Sequence, residues 1–192
     1  MAYQLLAAPV TEPITLAQAK QHLNVDTSDD DAVITLLITA ARQYAEQLTR
    51  SSFITQQWSL VLDAFPRHAV LLEHGPVQSI DSITYWDMNN TIQTVAPATY
   101  VADLSGLFAR VAPKFGQIWP PTLPQIGAVT LSFTAGYGVT ADAVPPGLVH
   151  WMKMRIGTLY EHREEVVSAR GVIVTPLSFV DGLLDAYRLA MV

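Results

Sequence analysis

The sequence predicts an α+β fold: a small α-helical bundle built from both ends of the chain and interrupted by an antiparallel β-rich insertion. Three observations carry this. Apolar residues recur at helical spacing before Arg50 and again after Pro146. Between them, roughly Ser52 to Gly138, the period falls to two. That middle block also has its own composition, with eleven of the seventeen aromatics and seven of the twelve prolines. The expected organisation is therefore a bundle from residues 1–51 and 139–192, and an insertion over 52–138.

The N-terminal arm begins extended, around Pro9 and Pro13. Thr15-Leu16-Ala17-Gln18 fits a capping box, so a short helix should start there and run to about Leu23. The acidic stretch Asp26 to Asp31 precedes a longer helix, where carboxylates favour the exposed amides of a first turn. Val33, Leu36, Leu37, Ala40, Ala41, Tyr44 and Leu48 form its expected apolar face. Thr35, Thr39, Arg42 and Glu46 form the expected polar face.

After Arg50 the pattern becomes that of strands. Trp58, Leu60 and Leu62 alternate onto one face. Further strands are expected at Ala69–Leu72, Ser79–Trp86, Thr91–Val95, Tyr100–Ala102, Leu107–Val111 and Ala128–Thr134. Asp87-Met88-Asn89-Asn90 reads as a hairpin turn. Trp119 to Pro124, with three prolines, is excluded from a central strand and reads as a stiff connection. Gly136-Tyr137-Gly138 reads as a turn after a strand, because no third glycine completes a dinucleotide fingerprint.

Val144-Pro145-Pro146 opens the next helix. Leu148, Trp151, Met152, Ile156, Leu159 and Tyr160 give it a wide apolar face. Gly157 inside it suggests a close helix-helix approach. A charged stretch, Glu161 to Glu165, ends the helix, and an apolar linker with Val172-Ile173-Val174 follows. Ser178-Phe179-Val180-Asp181 then resembles a cap for a last helix presenting Phe179, Leu183, Leu184 and Tyr187.

The chemistry is sparse. The chain has 192 residues, half of them apolar and 15% charged, which excludes wholesale disorder. No apolar run is long enough to span a bilayer, so no membrane partner is expected. Met1-Ala2-Tyr3-Gln4 lacks the basic region of a signal peptide, which fits cytoplasmic synthesis. With no cysteine, disulfides and thiolate chemistry are excluded. The net charge is −6 and the basic residues are scattered, so tight DNA binding is not expected.

No catalytic residue, cofactor site or metal site is expected. The acidic run lacks the alternating ligands and terminal glutamate of a calcium loop. His68 and His74 flank Glu73, but an extended chain would point Glu73 the other way. His162 lacks the spacing of a zinc-binding helix, and His22 and His150 have no evident partners. Neither a nucleophile elbow nor a phosphate-binding loop is present. Charge is thin in the β block, with three basic residues against five acidic ones. Either something covers its surface or a compact core absorbs its aromatics.

Four stretches resemble one family, the tailed-phage head-tail connector proteins, also called adaptor or head-completion proteins, in the subgroup with a β insertion. Pro13 to Leu23 resembles the opening helix, and Asp29 to Leu48 the long second helix. Val129 to Gly138 resembles the strand and turn closing the insertion. Leu159 to Glu164 and Leu183 to Arg188 resemble the C-terminal helices. The resemblance implies a virion protein at the head-tail neck, made in the host cytoplasm, with no enzymatic activity and no cofactor. It implies a ring of about a dozen copies. The implied partners are the portal protein, a tail-side neck or stopper protein, and other copies of the chain, with DNA passing through the channel. By the same analogy, Phe179, Leu183, Leu184, Tyr187 and Arg188 are the candidate portal contacts; alternatively their helix only closes the bundle. A competing reading is a β-domain binding module that takes carbohydrate or peptide on a concave aromatic cluster around Tyr85, Trp86 and Trp119.

Overall fold

The computed structural model describes residues 1–162 and 182–188. The architecture is α+β, and the described residues form three α-helices and eight strands in two antiparallel sheets. The chain divides into two compact units. One comprises residues 1–10 and 50–139, the other residues 11–49 and 140–192.

The first unit holds all the strands among the described residues. They are β1 (Ala2–Ala7), β2 (Gln56–Leu62), β3 (Val70–Leu72), β4 (Val77–Trp86), β5 (Ile92–Thr94), β6 (Tyr100–Asp103), β7 (Ala109–Pro113) and β8 (Val129–Ala135). The larger sheet runs β1-β2-β8-β4-β5 and the smaller β3-β7-β6. Strand β8 sits in the middle of the larger sheet because it alternates cleanly. Val129, Leu131, Phe133 and Ala135 are buried, while Thr130, Ser132 and Thr134 are not. Leu60, Ile83, Leu131 and Phe133 from this sheet share one core with Val70, Leu72, Ala109 and Val111 from the other. Trp58 and Leu62 pack at its edge, as their spacing from Leu60 requires.

The β4–β5 hairpin turns at Asp87, whose side chain accepts from the Asn89 and Thr91 N–H groups at 2.8 and 3.0 Å. Those bonds, with a third from Gln93 Nε2, hold the carboxyl below its ordinary range. Asn90 supplies the positive φ, 60°, that the turn needs.

One boundary differs from expectation. The expected boundary puts residues 1–10 in the helical bundle, yet Ala2–Ala7 form β1 and pair with β2, Tyr3 opposite Leu60. The segment has few polar side chains, and its backbone groups find partners on the edge of β2.

The second unit contains α1 (Leu16–Leu23), α2 (Asp31–Thr49) and α3 (Pro146–Glu161), which pack against one another. The capping box is present. Thr15 Oγ1 accepts from the Gln18 N–H at 3.2 Å, and Gln18 Oε1 accepts from the Thr15 N–H at 3.0 Å. In α3 the buried residues are Leu148, Trp151, Met152 and Ile156. Gly157 does not mark an especially close approach. A Cβ there would lie 3.8 Å from His22 Nε2 and 4.0 Å from Leu23 Cδ2, ordinary contact distances. Residues 182–188 end in a single 3-10 turn, Asp185–Tyr187. The expected linker at Val172–Val174 and the cap at Ser178–Asp181 lie outside the described residues.

The largest departure concerns α2. Its buried face is Ile34, Ile38, Ala41, Arg42, Ala45 and Thr49. Arg42, expected on the solvent face, is buried, while Val33, Leu36 and Tyr44, expected in the core, are exposed. The helix is apolar on two sides, and periodicity alone does not say which side faces in.

Candidate interaction surfaces

Several polar groups of the helical unit serve its packing. Arg42 is 6% exposed and lies between two carboxylates: Nε donates to Glu12 Oε2 at 2.7 Å and Nη1 to Glu46 Oε2 at 2.7 Å. Thr39 Oγ1 also donates to Glu12, at 3.0 Å. The acidic run is partly structural rather than simply solvated. Lys20 on α1 pairs with Asp31 at 2.6 Å, and Tyr160 Oη on α3 donates to Asp30 Oδ2 at 2.5 Å. Asp26 and Asp29 remain exposed.

The histidine candidates do not converge. His74 adopts a left-handed conformation, φ 64°, and stacks on Trp58 with ring centres 4.0 Å apart and planes 11° apart. Tyr3 meets its edge at 4.9 Å. Burial, with a smaller contribution from Arg50, pushes the imidazole down to about 4. Glu73 turns to Arg50 at 3.4 Å, and its backbone N–H donates to Tyr3 Oη at 2.9 Å. Burial pushes the Tyr3 phenol up to about 12. His68 contributes its carbonyl, which accepts from Trp119 Nε1 at 3.3 Å. Among the described residues no group of three or more His, Asp and Glu could hold a metal ion.

The expected aromatic trio is not assembled. Neighbouring residues of a strand point to opposite faces, so Tyr85 and Trp86 diverge. Tyr85 instead meets Phe65 edge-on at 5.9 Å, and Phe65 stacks on Trp119 at 4.6 Å with planes 7° apart. A hollow of about 390 Å³ beside this stack is lined by Phe65, Pro66, Arg67, Ile118, Trp119 and Pro120, among others. One face of the Trp119 ring is spent on Phe65.

Of the candidate portal contacts, Phe179 lies outside the described residues. Leu184 is fully buried, Leu183 and Tyr187 are half-buried, and Arg188 is exposed and pairs with Asp185 at 3.0 Å. Tyr187 rests on α3, where a Cβ added at Gly147 would come within 3.2 Å of its hydroxyl. Complete burial means that Leu184 packs within its own chain.

Two surfaces missed by sequence reasoning stand out. One is the outer face of α2, with Val33, Leu36, Ala40 and Tyr44 exposed along it. Tyr44 packs one side against α3, 6.0 Å from the Trp151 ring and 5.1 Å from the Arg155 guanidinium. The other is the connection from Lys114 to Ile126 in the β unit, where Phe115, Ile118 and Ile126 are almost wholly exposed. Its signal was the proline-rich stretch, which showed a stiff connection but not what it displays.

Among the described residues, a two-sheet unit and a three-helix unit with exposed apolar surfaces make up this α+β chain. The chain belongs to the phage gp6-like head-tail connector protein family, whose sequence model matches residues 13–114. No curated protein matches it. Among solved structures it is similar to a chain of the virion of a native gene transfer agent particle, with 22% identity and a TM-score of 0.81. It is also similar to chains from the neck of an empty particle, solved with sixfold symmetry (23%, 0.79), and of a native particle, solved with twelvefold symmetry (23%, 0.78). Each likeness covers 100% of this chain and 97% of the other. At these identities the likeness shows a shared fold.

Proposed function

We propose that this protein is a non-enzymatic adaptor in the neck of a tailed-phage or phage-like particle. In this reading about a dozen copies form a ring below the portal. The ring extends the DNA channel and offers the surface on which the tail or a stopper docks. DNA passes through without sequence-specific binding, consistent with the net charge of −6. The observation that carries the reading is family membership combined with a fold likeness over the whole chain to subunits of particle necks. The C-terminal segment is the proposed portal contact, through its accessible members Leu183, Tyr187 and Arg188 together with Phe179.

The test is to mix the full chain with its portal protein and image the product by electron microscopy. A ring with a central channel seated on the portal is the expected result. A chain that stays monomeric at high concentration and does not bind the portal would overturn the proposal. Removing residues from Ser178 onward should abolish docking. Wild-type docking by a folded truncated chain would move the portal contact elsewhere.

A further inference from the structure

On α2, every exposed residue from Ala32 to Gln47 is uncharged. The ionisable groups of the helix are engaged elsewhere, Asp31 with Lys20, and Arg42 and Glu46 with each other. Leu36 is 68% exposed, with Val33 and Tyr44 also open on the same strip. The outer face of a solvated helix normally carries charge. Depletion of charge around large apolar residues marks the centre of a protein interface. The exposed α2 residues themselves carry no cation, and Arg155 of α3 against Tyr44 is a single charge, so a nucleic acid is a poor occupant.

In the β unit, the connection from Lys114 to Ile126 is pinned rather than loose. Its Lys114 N–H donates to Thr99 O at 3.0 Å and its Leu123 N–H to Trp86 O at 2.9 Å, while the following Gly127 N–H donates to Asp63 Oδ1 at 2.9 Å. Pro120, Pro121 and Pro124 stiffen it further. Phe115, Ile118 and Ile126 are therefore held out in water, and little ordering entropy remains to be lost when they dock.

Arg155 of α3 lies over Tyr44 near the C-terminal end of the strip, but at the N-terminal end, where the proposed contact brings Lys114, the bordering charges are of opposite sign. Lys114 adjoins Phe115, and Arg67 lines the same hollow as Ile118. Exposed Asp26 and Asp29 lie just before the N-terminal end of the α2 strip. Such complementarity orients a contact and excludes wrong partners.

We infer that the outer face of α2 receives the Lys114–Ile126 connection of a second copy of this chain, with Phe115 and Ile118 across Leu36 and Ala40, and Lys114 toward Asp29. The two surfaces differ, so the contact is head-to-tail and repeats around a closed ring. The inference rests on the ring of the proposed function and names its subunit contact. The strip, Ala32 to Gln47, is about 24 Å long from the helix rise. At about 10 Å wide it supplies under half of the roughly 800 Å² per partner of a stable pair. Two copies alone should associate weakly, and ring closure, which holds each copy twice, supplies the rest.

Because the chain has no cysteine, the contact can be trapped by disulfide formation. Full-length Leu36→Cys and Phe115→Cys variants are mixed at high concentration in low salt and oxidised. Disulfide-linked dimers should form in the mixture and in neither variant alone. Dimers from Leu36→Cys alone would show that two α2 faces meet, and would overturn the inference. Native mass spectrometry of the wild type, alone and with the portal, separates the two readings. Rings without the 36–115 link would sink this contact and leave the ring standing. No oligomer under either condition would sink both. In a second arm, Lys114→Glu should weaken assembly about tenfold, and adding Asp29→Lys should restore it. Circular dichroism checks that the variants fold. A restored charge pair without restored assembly would also overturn the proposal.

Discussion

The Arg42 guanidinium reaches the Glu12 carboxylate at 2.7 Å through Nε and at 3.3 Å through Nη2, tying the segment before α1 to the second turn from the end of α2. Its other arm holds Glu46, 12% exposed, one turn along the helix. Two buried or half-buried carboxylates thus share one cation. Arg42→Met should destabilise the chain by about 3–5 kcal/mol, because it leaves carboxylates without their counter-charge. Arg42→Lys should recover only part of this, since an ammonium lacks the planar fork. Urea denaturation measures both. A loss under about 1 kcal/mol for Arg42→Met would show that the cluster is solvated rather than buried.

His74 gives stability a pH dependence of known sign. Its folded pKa is about 4, against an ordinary 6.5, chiefly because it is buried. As pH falls from 6.5 the unfolded chain takes up the proton first, so folding loses stability until about pH 4, where the loss saturates. Above 6.5 the contribution is full. His74→Asn tolerates the left-handed backbone and removes the titration. Urea midpoints from pH 7 to 4 should fall more steeply in the wild type than in the variant. Equal slopes would rule His74 out as the source.

Gly136 has φ 137°, and a Cβ there would sit 2.6 Å from the Ile54 carbonyl carbon and the Thr55 nitrogen. Backbone cannot move aside as a flexible side chain can. Gly136→Ala should cost about 3 kcal/mol or more. Gly116, at φ 77° with nothing within 4 Å, is the control. Gly116→Ala should cost only about 1–2 kcal/mol, from backbone strain. Thermal melts that rank the two the other way would contradict this account of the turn.

Gly157→Ala should stabilise the protein by about 1 kcal/mol, from the better helix propensity of alanine. The added methyl meets His22 and Leu23 at ordinary contact distance. A destabilised variant would mean that α1 and α3 are closer than their geometry indicates.

Thr15→Ala removes one bond of the capping box and should cost about 1 kcal/mol. Denaturant melts that show no change would mean that the cap does not contribute to stability.

Most of the elements were legible because their causes are local. Thr15 and Gln18 satisfy each other's backbone, Asp87 closes its hairpin over four residues, and β8 alternates without a break. The surfaces were less legible. On α2, Ile34, Ile38, Ala41 and Ala45 form one apolar set, and Val33, Leu36, Leu37, Ala40 and Tyr44 another. Both sets obey helical spacing; of the expected face Ala41 is buried, whereas Val33, Leu36, Ala40 and Tyr44 are exposed. Arg42 looked solvated because its partner Glu12 lies thirty residues away.

The sequence by itself determined that helical ends flank a strand-rich middle, where most turns fall, and that disulfide and thiolate chemistry are excluded. Those follow from hydrophobic period, capping and composition, which act over a few residues. Only the tertiary structure decided that β1 joins β2, that Arg42 is inside and Leu36 outside, and that Phe115 stands in water. These are choices between long-range pairings of similar local quality, and the total burial of the folded unit makes them.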